Sequence, residues 1–315
     1  MTHDYLWDRS GVPDPFIAEL ETSLGALAYQ PLRLASAPVK RRRRAIPLPL
    51  VAAAAMMLLA SAAAVLCPPS PSPWRIEPIE GAPAVGSVRL VRPDALRANE
   101  WVQTDRSSSA VLFIEGLGQV RINPGTRLRI APAPAGTRRL DLARGSIHAF
   151  VTAPPRLFQV DTPCARAVDL GCEYALEVDE SGAGQLRVLL GYVQLEWGGA
   201  AVTIPMGGGT CLTRPGFGPG TPFFDDASPR LIDELRRFDF ESGGEPALNA
   251  VLSEARPRDA LTLWHLLERA APDLRGTVYD RLAQLKPPPQ GVVRSGVLAL
   301  DRAMLSAWWD AMRPF

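Results

Sequence analysis

The chain has 315 residues, with 34 Lys and Arg against 33 Asp and Glu and a formal net charge of +1. This balance disfavours a general nucleic-acid binder, which needs a surplus of basic charge on one surface. Hydrophobic residues make up 47% of the sequence, enough to bury a core, so wholesale disorder is disfavoured. The three histidines, His3, His148 and His265, lie far apart, which argues against a multi-histidine metal site.

Residues 1–44 contain a predicted short amphipathic helix and form a cytoplasmic stub in our interpretation. Asp14 and Pro15 are a typical N-cap and first helical position, and apolar residues follow at helical spacing. One short helix cannot bury its apolar face alone. We therefore expect a helix-in-groove contact with a cytoplasmic protein, the alternative being an inert leader. The residues expected to make this contact are Tyr5, Leu6, Trp7, Phe16, Leu20 and Leu24.

Residues 45–67 are uncharged and mostly apolar, and a helix of this length could cross a bilayer. The preceding topology signal consists of Lys40, Arg41, Arg42, Arg43 and Arg44. This basic flank predicts a single-pass anchor in a bacterial inner membrane, with the N-terminus cytoplasmic and the bulk after Cys67 periplasmic. The alternatives are a buried core helix and a cleaved signal peptide, which the long preceding segment disfavours.

The middle of the chain predicts β structure. Residues 68–85 are rich in Pro and Ser and are expected to form an extended tether. Between residues 86 and 226, glycines separate short runs with alternating apolar residues, such as Val120 with Ile122 and Leu128 with Ile130. Such runs predict short strands in a sandwich, a barrel or a β-helix-like domain.

Residues 227–315 predict helices. Ser228 with Pro229 is a typical helix start, and further starts are expected at Pro257, Asp273 and Asp301. This part is expected to dock a protein or cap the β domain, or simply to complete the core. The predicted fold class is therefore a mainly β exported domain, one transmembrane α-helix and an α-helical C-terminal subdomain.

Several elements of the β region follow a recognisable order. They are Glu115–Ile122, Asn123–Ile130, Leu142–Val151, Phe158–Pro163, Leu170–Tyr174 and Leu190–Leu195. This order resembles the FecR family of bacterial membrane-anchored regulators. The chain departs from the family pattern in its shorter stub and in its helical C-terminus.

The resemblance implies a signal-transducing regulator of the anti-sigma-factor type. The exported β domain would sense a periplasmic or envelope protein or ligand, and the stub would contact an extracytoplasmic-function sigma factor. The alternative is a membrane-tethered binding or scaffolding module without a transcriptional role. An exported hydrolase is a third hypothesis.

The cysteines predict a disulfide, because three of the four would be exported to a compartment where disulfides persist. We expect a Cys172–Cys211 bridge. Cys164–Cys172 is the rival pairing, since sequence does not determine connectivity. A zinc site is a third interpretation, which the absence of a Cys-x-x-Cys pair disfavours.

No arrangement typical of catalysis is found in the sequence. The glycines at 207–209 are not followed by the Gly-Lys-Ser/Thr of a phosphate-binding loop, and Ser107–Ser109 lack the Gly-x-Ser-x-Gly pattern. His148 and His265 are interpreted as structural. We therefore predict a non-enzymatic protein without a cofactor.

Overall fold

The computed structural model describes residues 74–312, together with Pro15, Phe16 and Glu19, which are helical. The chain divides into two compact units, residues 1–68 and 69–315. The second unit contains a β domain followed by six α-helices within the described residues.

The β domain is built from two sheets that share one strand. The first sheet has the order β4-β1-β6-β7-β9-β12-β13-β16, and both β17 and β18 pair with β16. Its strands are β1 (Trp74–Glu80), β4 (Asp94–Ala95), β6 (Ser109–Ile114), β7 (Gly118–Ile122), β9 (Arg138–Val151), β12 (Glu173–Val178), β13 (Gly184–Leu190), β16 (Gly209–Arg214), β17 (Gly218–Pro219) and β18 (Phe223–Phe224).

The second sheet has the order β3-β2-β5-β8-β9-β10-β11-β14-β15. Its other strands are β2 (Ala84–Val85), β3 (Val88–Arg89), β5 (Trp101–Gln103), β8 (Arg127–Ile130), β10 (Phe158–Asp161), β11 (Arg166–Asp169), β14 (Tyr192–Trp197) and β15 (Ala200–Pro205). All of the described strand pairs are antiparallel except β9 with β10, which is parallel.

Strand β9 passes from one sheet to the other. Its first half pairs with β8 and β10, and its second half pairs with β7 and β12. The change occurs at Gly145, whose φ of 91° lies in the left-handed region that favours glycine. A Cβ at this position would collide with Cα and the side chain of Thr126. Glycine therefore permits both the backbone conformation and the close approach.

The inward-facing residues of both sheets form a single core. Apolar and polar residues alternate along the strands, and each apolar set faces the opposite sheet. The core residues buried without any exposed surface include Ile76, Val102, Leu112, Val120, Ile122, Leu128, Leu140, Leu142, Ile147, Phe158, Tyr174, Leu186, Val193 and Ile204. Closing two sheets over one core supplies the apolar burial that stabilises such a domain.

The C-terminal part is helical and has a second core. Its helices are α1 (Pro229–Phe240), α2 (Gly244–Glu254), α3 (Ala260–Arg269), α4 (Arg275–Leu285), α5 (Arg294–Leu298) and α6 (Arg302–Met312), with a 3₁₀ turn at Pro257–Asp259. The predicted start of α1 is confirmed, because Oγ of Ser228 accepts a hydrogen bond from the amide of Leu231 at 3.1 Å. At α6, Oδ1 of Asp301 likewise accepts from the amides of Ala303 and Met304.

A buried polar cluster joins the helices to the β domain. Asp239 on α1 accepts hydrogen bonds from the amide of Thr221, at 2.6 Å, and from its hydroxyl, at 2.9 Å. Arg269 on α3 donates to Asp239 at 3.3 Å and to the carbonyl of Pro219 at 2.6 Å. Burial raises the pKa of Asp239, and these donors compensate for the loss of water around its carboxyl group. The helices also cover part of the first sheet, where Leu212 of β16 packs against the helical core.

The structure corrects the fold class predicted from the sequence. The described chain is mainly β sheet with helices at its C-terminus. None of its described helices has both the length and the apolar character needed to span a membrane, so the transmembrane helix of the predicted fold class is not found in the described fold. The stretch on which that expectation was based, residues 45–67, lies outside the described residues.

The tether expected over residues 68–85 also differs from the structure. Strand β1 begins at Trp74 and pairs along its length with β6, and β2 pairs with β5. Trp74 and Ile76 alternate with exposed Arg75 and are buried in the core, so apolar burial holds this Pro-rich segment in the sheet.

Candidate functional site: the open face of the first sheet

The outward side of the first sheet is uncovered between β1 and β12, and we call this surface the open face. The strand register places its side chains in two rows. One row runs through Arg75, Phe113, Gln119, Phe150 and Glu173, and the next runs through Glu77, Val111, Arg121, His148 and Ala175. Because side chains on one side of a sheet are close across neighbouring strands, each row forms a continuous surface.

Large apolar side chains are exposed to solvent on the open face. Phe113 is 36% exposed, Phe150 is 41% exposed and Ile79, at the end of β1, is 43% exposed. Exposed aromatic side chains grouped among polar residues are typical of surfaces that bind a partner. Together with Val111 and their polar neighbours, these side chains line a shallow groove of about 690 Å³.

Charged groups lie beside the aromatic residues. Nε2 of His148 is 2.9 Å from Oε1 of Glu173, and Arg75 pairs with Glu77 at 2.5 Å. Arg121 lies on β7 next to His148, and within residues 74–312 its guanidinium makes no ion pair. An exposed guanidinium beside apolar side chains can bind a carboxylate through paired hydrogen bonds while its neighbours bury an apolar group.

The sequence analysis did not predict the open face, although the alternation of apolar residues indicated which side chains point away from the core. The alternation assigned Val120, Ile122 and Ile147 to the core, so Arg121 and His148 had to point outward. The alternation does not say which strands are neighbours, however. His148, which we predicted to be structural, lies on the open face and is only partly buried.

The predicted Cys172–Cys211 disulfide is not present. Cys164, Cys172 and Cys211 are all free and buried. Cys211 lies opposite Leu186 of β13, and Leu186 lies opposite Leu176 of β12. Cys211 is therefore about 9.5 Å across the sheet from β12, and Cys172 is displaced along that strand by roughly another 13 Å. A disulfide requires Cα atoms within about 7 Å, so this pairing is wrong, and the rival Cys164–Cys172 bridge is also absent.

Each thiol has its own hydrogen-bond acceptor instead. Cys172 donates to Oδ2 of Asp169 at 2.6 Å, Cys164 donates to the carbonyl of Gly182 at 2.8 Å, and Cys211 donates to the carbonyl of Gly220 at 3.2 Å. Burial raises the pKa of Cys172, and the nearby Asp169 raises it further. Burial raises the pKa of Cys211 to about 12. Thiols with such raised pKa values remain protonated at neutral pH, where the thiolate is the reactive form.

The predicted partner-binding and topology residues lie almost entirely outside the described residues. Phe16 is described, and it lies in a helical segment with an exposed side chain. The remaining ones, outside the described residues, are Tyr5, Leu6, Trp7, Leu20, Leu24, Lys40, Arg41, Arg42, Arg43 and Arg44. Within residues 74–312, no group of three or more His, Cys, Asp or Glu side chains is arranged to hold a metal ion.

His265 connects helix α3 to the second sheet. It is buried, and its Nε2 lies 3.1 Å from the carbonyl oxygen of Thr203 on β15, so the ring nitrogen must carry the proton and donate. The ring also packs edge-on against Trp264 and Trp309. Burial, and to a smaller extent the charge of Arg269, lower the pKa of His265 to about 3, so the folded protein holds a neutral imidazole at neutral pH.

We expect replacement of His265 by glutamine to weaken the acid sensitivity of the fold. An unfolded histidine has a pKa of about 6.5, so between about pH 6.5 and pH 3 the unfolded chain binds more protons. The stability that depends on this neutral ring is fully present above about pH 6.5 and is lost as the pH falls towards 3, by up to about 1.4 kcal/mol per pH unit.

Urea unfolding of both proteins at about pH 7 and about pH 4.5 measures this difference. The wild-type free energy of unfolding should fall more steeply than that of the variant, in which the glutamine amide can still donate to Thr203. Equal slopes for wild type and His265→Gln would show that His265 does not carry the acid sensitivity.

Comparison with known proteins identifies the domain that carries the open face. Residues 100–194 match the family model described as FecR protein. The match includes eight of the ten residues in the two rows of the open face: Val111, Phe113, Gln119, Arg121, His148, Phe150, Glu173 and Ala175. The resemblance predicted from the sequence is therefore confirmed over this stretch. No match is found among curated proteins.

Among solved structures, similarity is found to two crystal structures from Parabacteroides distasonis, each provisionally described as an anti-sigma factor. These structures, at 1.65 and 2.50 Å resolution, are each 15% identical in sequence, with TM-scores of 0.33 and 0.30. The matches cover 42% and 50% of this chain, and the chain spans 63% of the length of the matched structures. With residues 100–194 matching the FecR protein model, this chain carries a FecR-family domain.

Proposed function

We propose that this protein is a regulator that controls an extracytoplasmic-function sigma factor and is not an enzyme. The observation that carries the proposal is the match of residues 100–194 to the FecR family, whose members are regulators of this kind. In the proposal, residues 1–44 hold the sigma factor, and Phe16 is among the contact residues because its side chain is exposed on a helical segment.

The open face receives the input signal in this proposal. Its chemistry favours a protein partner that presents a carboxylate beside an apolar side chain. The carboxylate would pair with Arg121, which has no ion pair within residues 74–312, and the apolar group would pack on Phe113 and Phe150. Aromatic and arginine side chains are the ones that most often dominate the binding energy of protein interfaces.

We also propose that the protein resides at the bacterial inner membrane, with residues 74–312 on the periplasmic side. The support is the asymmetry of charge in the sequence. Basic residues are concentrated at 40–44, immediately before the uncharged stretch 45–67, and positive charge is retained on the cytoplasmic side. In this arrangement the open face meets envelope proteins, and the stub meets the transcription machinery.

The test uses the full chain, affinity-tagged after Phe315 and expressed at its native level in its host. An extracytoplasmic-function sigma factor is expected to co-purify in near-stoichiometric amount. The triple variant Trp7→Ala, Phe16→Ala, Leu20→Ala should lose it, because these changes remove apolar contact area. The open-face variant Arg121→Glu should retain it, because it leaves the stub intact. In spheroplasts of the same strain, added protease should digest residues 74–312.

Two results would contradict the proposal. One is the absence of any sigma factor from the wild-type preparation, and the other is its retention by the triple variant. If wild type retains only an envelope protein, and Arg121→Glu loses that protein, the open face serves a scaffolding module without a transcriptional role. Protection of residues 74–312 in spheroplasts would contradict the proposed location alone.

A further inference from the structure

A second cavity lies where the β domain meets the helices, away from the open face. It is lined from the β domain by the end of β13, the β15–β16 connection and β18, and from the helices by the 3₁₀ turn and α3 and by the ends of α4 and α6. Its volume is about 550 Å³. Small-molecule sites in proteins typically have volumes of about 300–1,000 Å³ and occur where structural units meet.

The walls of this cavity are apolar. Phe224 and Leu261 are buried in the wall of the cavity, and Leu189, Met206 and Met312 add further apolar side chains to it. The thioether side chains of the two methionines can adapt to the shape of an aliphatic group, because they have several rotatable bonds. The lining therefore suits a flexible hydrocarbon chain better than a rigid polar molecule.

Among the described residues, each cationic side chain around the cavity except one has an acidic partner. Nε of Arg187 donates to Asp225 at 2.9 Å, and Nε of Arg258 lies 3.2 Å from Oδ1 of Asp226. Lys286 also lines the cavity, and within residues 74–312 its ammonium group makes no ion pair. The cavity thus combines an apolar interior with an unneutralised positive charge.

The side chain of Arg258 and the backbone of Lys286, which form the cationic side of the cavity, are held in place by neighbouring groups. Arg258 also donates to the carbonyl of Gly207 at 2.7 Å, and its guanidinium lies 4.7 Å from the ring centre of Phe224. Lys286 ends helix α4, where its amide donates to the carbonyl of Leu282 at 2.8 Å, and three prolines follow it. The backbone of Lys286 is therefore restrained, while the side chain can move its ammonium group over the cavity.

We infer that this cavity binds an amphipathic anion, namely a medium-length aliphatic chain with a carboxylate head group. The aliphatic chain of the ligand would occupy the space between Met206, Leu261 and Met312, and its carboxylate would pair with the ammonium group of Lys286. Burial of the ligand's aliphatic chain supplies the apolar contribution to the binding free energy, and the ion pair with Lys286 selects a negatively charged head group. The inference is independent of the sigma factor and of the open face.

Isothermal titration of the purified full chain tests the inference with three probes that share an eight-carbon chain. Octanoate should bind, while the neutral octanol and the cationic octyltrimethylammonium should bind about tenfold more weakly or not at all, because an ion pair to a charged group is worth a factor of this order. Lys286→Gln should weaken octanoate binding by about tenfold and leave octanol binding unchanged.

Arg92→Gln, which removes an exposed cation of the β domain that lines neither the cavity nor the open-face groove, is the control and should bind octanoate like wild type. Lys286 is exposed, so its substitution should not unfold the chain, and circular dichroism will show whether each variant is folded. Several results would overturn the inference. They are no binding of octanoate, equal affinity for octanoate and octanol, an unchanged affinity in Lys286→Gln, or binding to phosphatidylglycerol vesicles without binding to octanoate.

Discussion

Replacement of Gly145 by alanine is expected to lower the free energy of unfolding by about 2–5 kcal/mol. Two effects add together. Gly145 has a φ of 91°, which a residue with a Cβ adopts only with strain, and the added Cβ would collide with the backbone of Thr126 on the neighbouring chain segment. Because backbone atoms held in a sheet cannot move aside easily, the collision should displace β9 from one of its partners. Urea unfolding followed by circular dichroism measures the loss.

Gly136→Ala is the matched control for this change. Gly136 has a φ of 85°, and no heavy atom lies within 4 Å of an added Cβ. Its substitution therefore has the backbone strain without the collision, and it should cost about 1–2 kcal/mol. If the two variants lose the same stability, the close approach at Thr126 is not important for the fold.

Replacement of Trp308 by alanine is expected to cost about 3–5 kcal/mol, the range typical of a large aromatic residue removed from a core. Trp308 on α6 has no exposed surface, and its ring packs edge-on against Tyr279 of α4 at 5.4 Å between ring centres. Truncation would leave a cavity between α4 and α6 where other side chains cannot fully collapse. The measurement is the urea-dependent loss of helical circular dichroism.

The exposed Trp197, on β14, is the control for Trp308. Trp197 is 40% exposed, and its replacement by alanine should cost about 1 kcal/mol or less. A Trp308→Ala protein as stable as the Trp197→Ala protein would mean that the helical core does not depend on this side chain.

Local patterns in the sequence predicted much of the secondary structure. The alternation of Val120 with Ile122 and of Leu128 with Ile130 corresponds to β7 and β8, because one-sided burial requires an apolar residue at every second position. The start at Ser228 was equally predictable, because its side chain supplies a hydrogen bond that the first helical turn needs.

Features that depend on distant contacts were not predictable in this way. Helix α2 begins at Gly244 without a side-chain cap, so the N-cap signal that identified the start of α1 is missing there. The open face combines residues of five strands between Arg75 and Glu173, and their proximity depends on a register that no short pattern encodes. The disulfide prediction failed for the same reason, since it required knowing which strands separate Cys172 from Cys211.

The shared strand β9 has a consequence for the way the β domain opens. A structure of two separate sheets could lose one layer and keep the other. Here β9 forms backbone hydrogen bonds in the second sheet before residue 145 and in the first sheet after it. Breaking the hydrogen bonds of β9 in one sheet therefore also strains those that it makes in the other. The domain should consequently melt as one cooperative unit, and a partner bound on one layer would stiffen both.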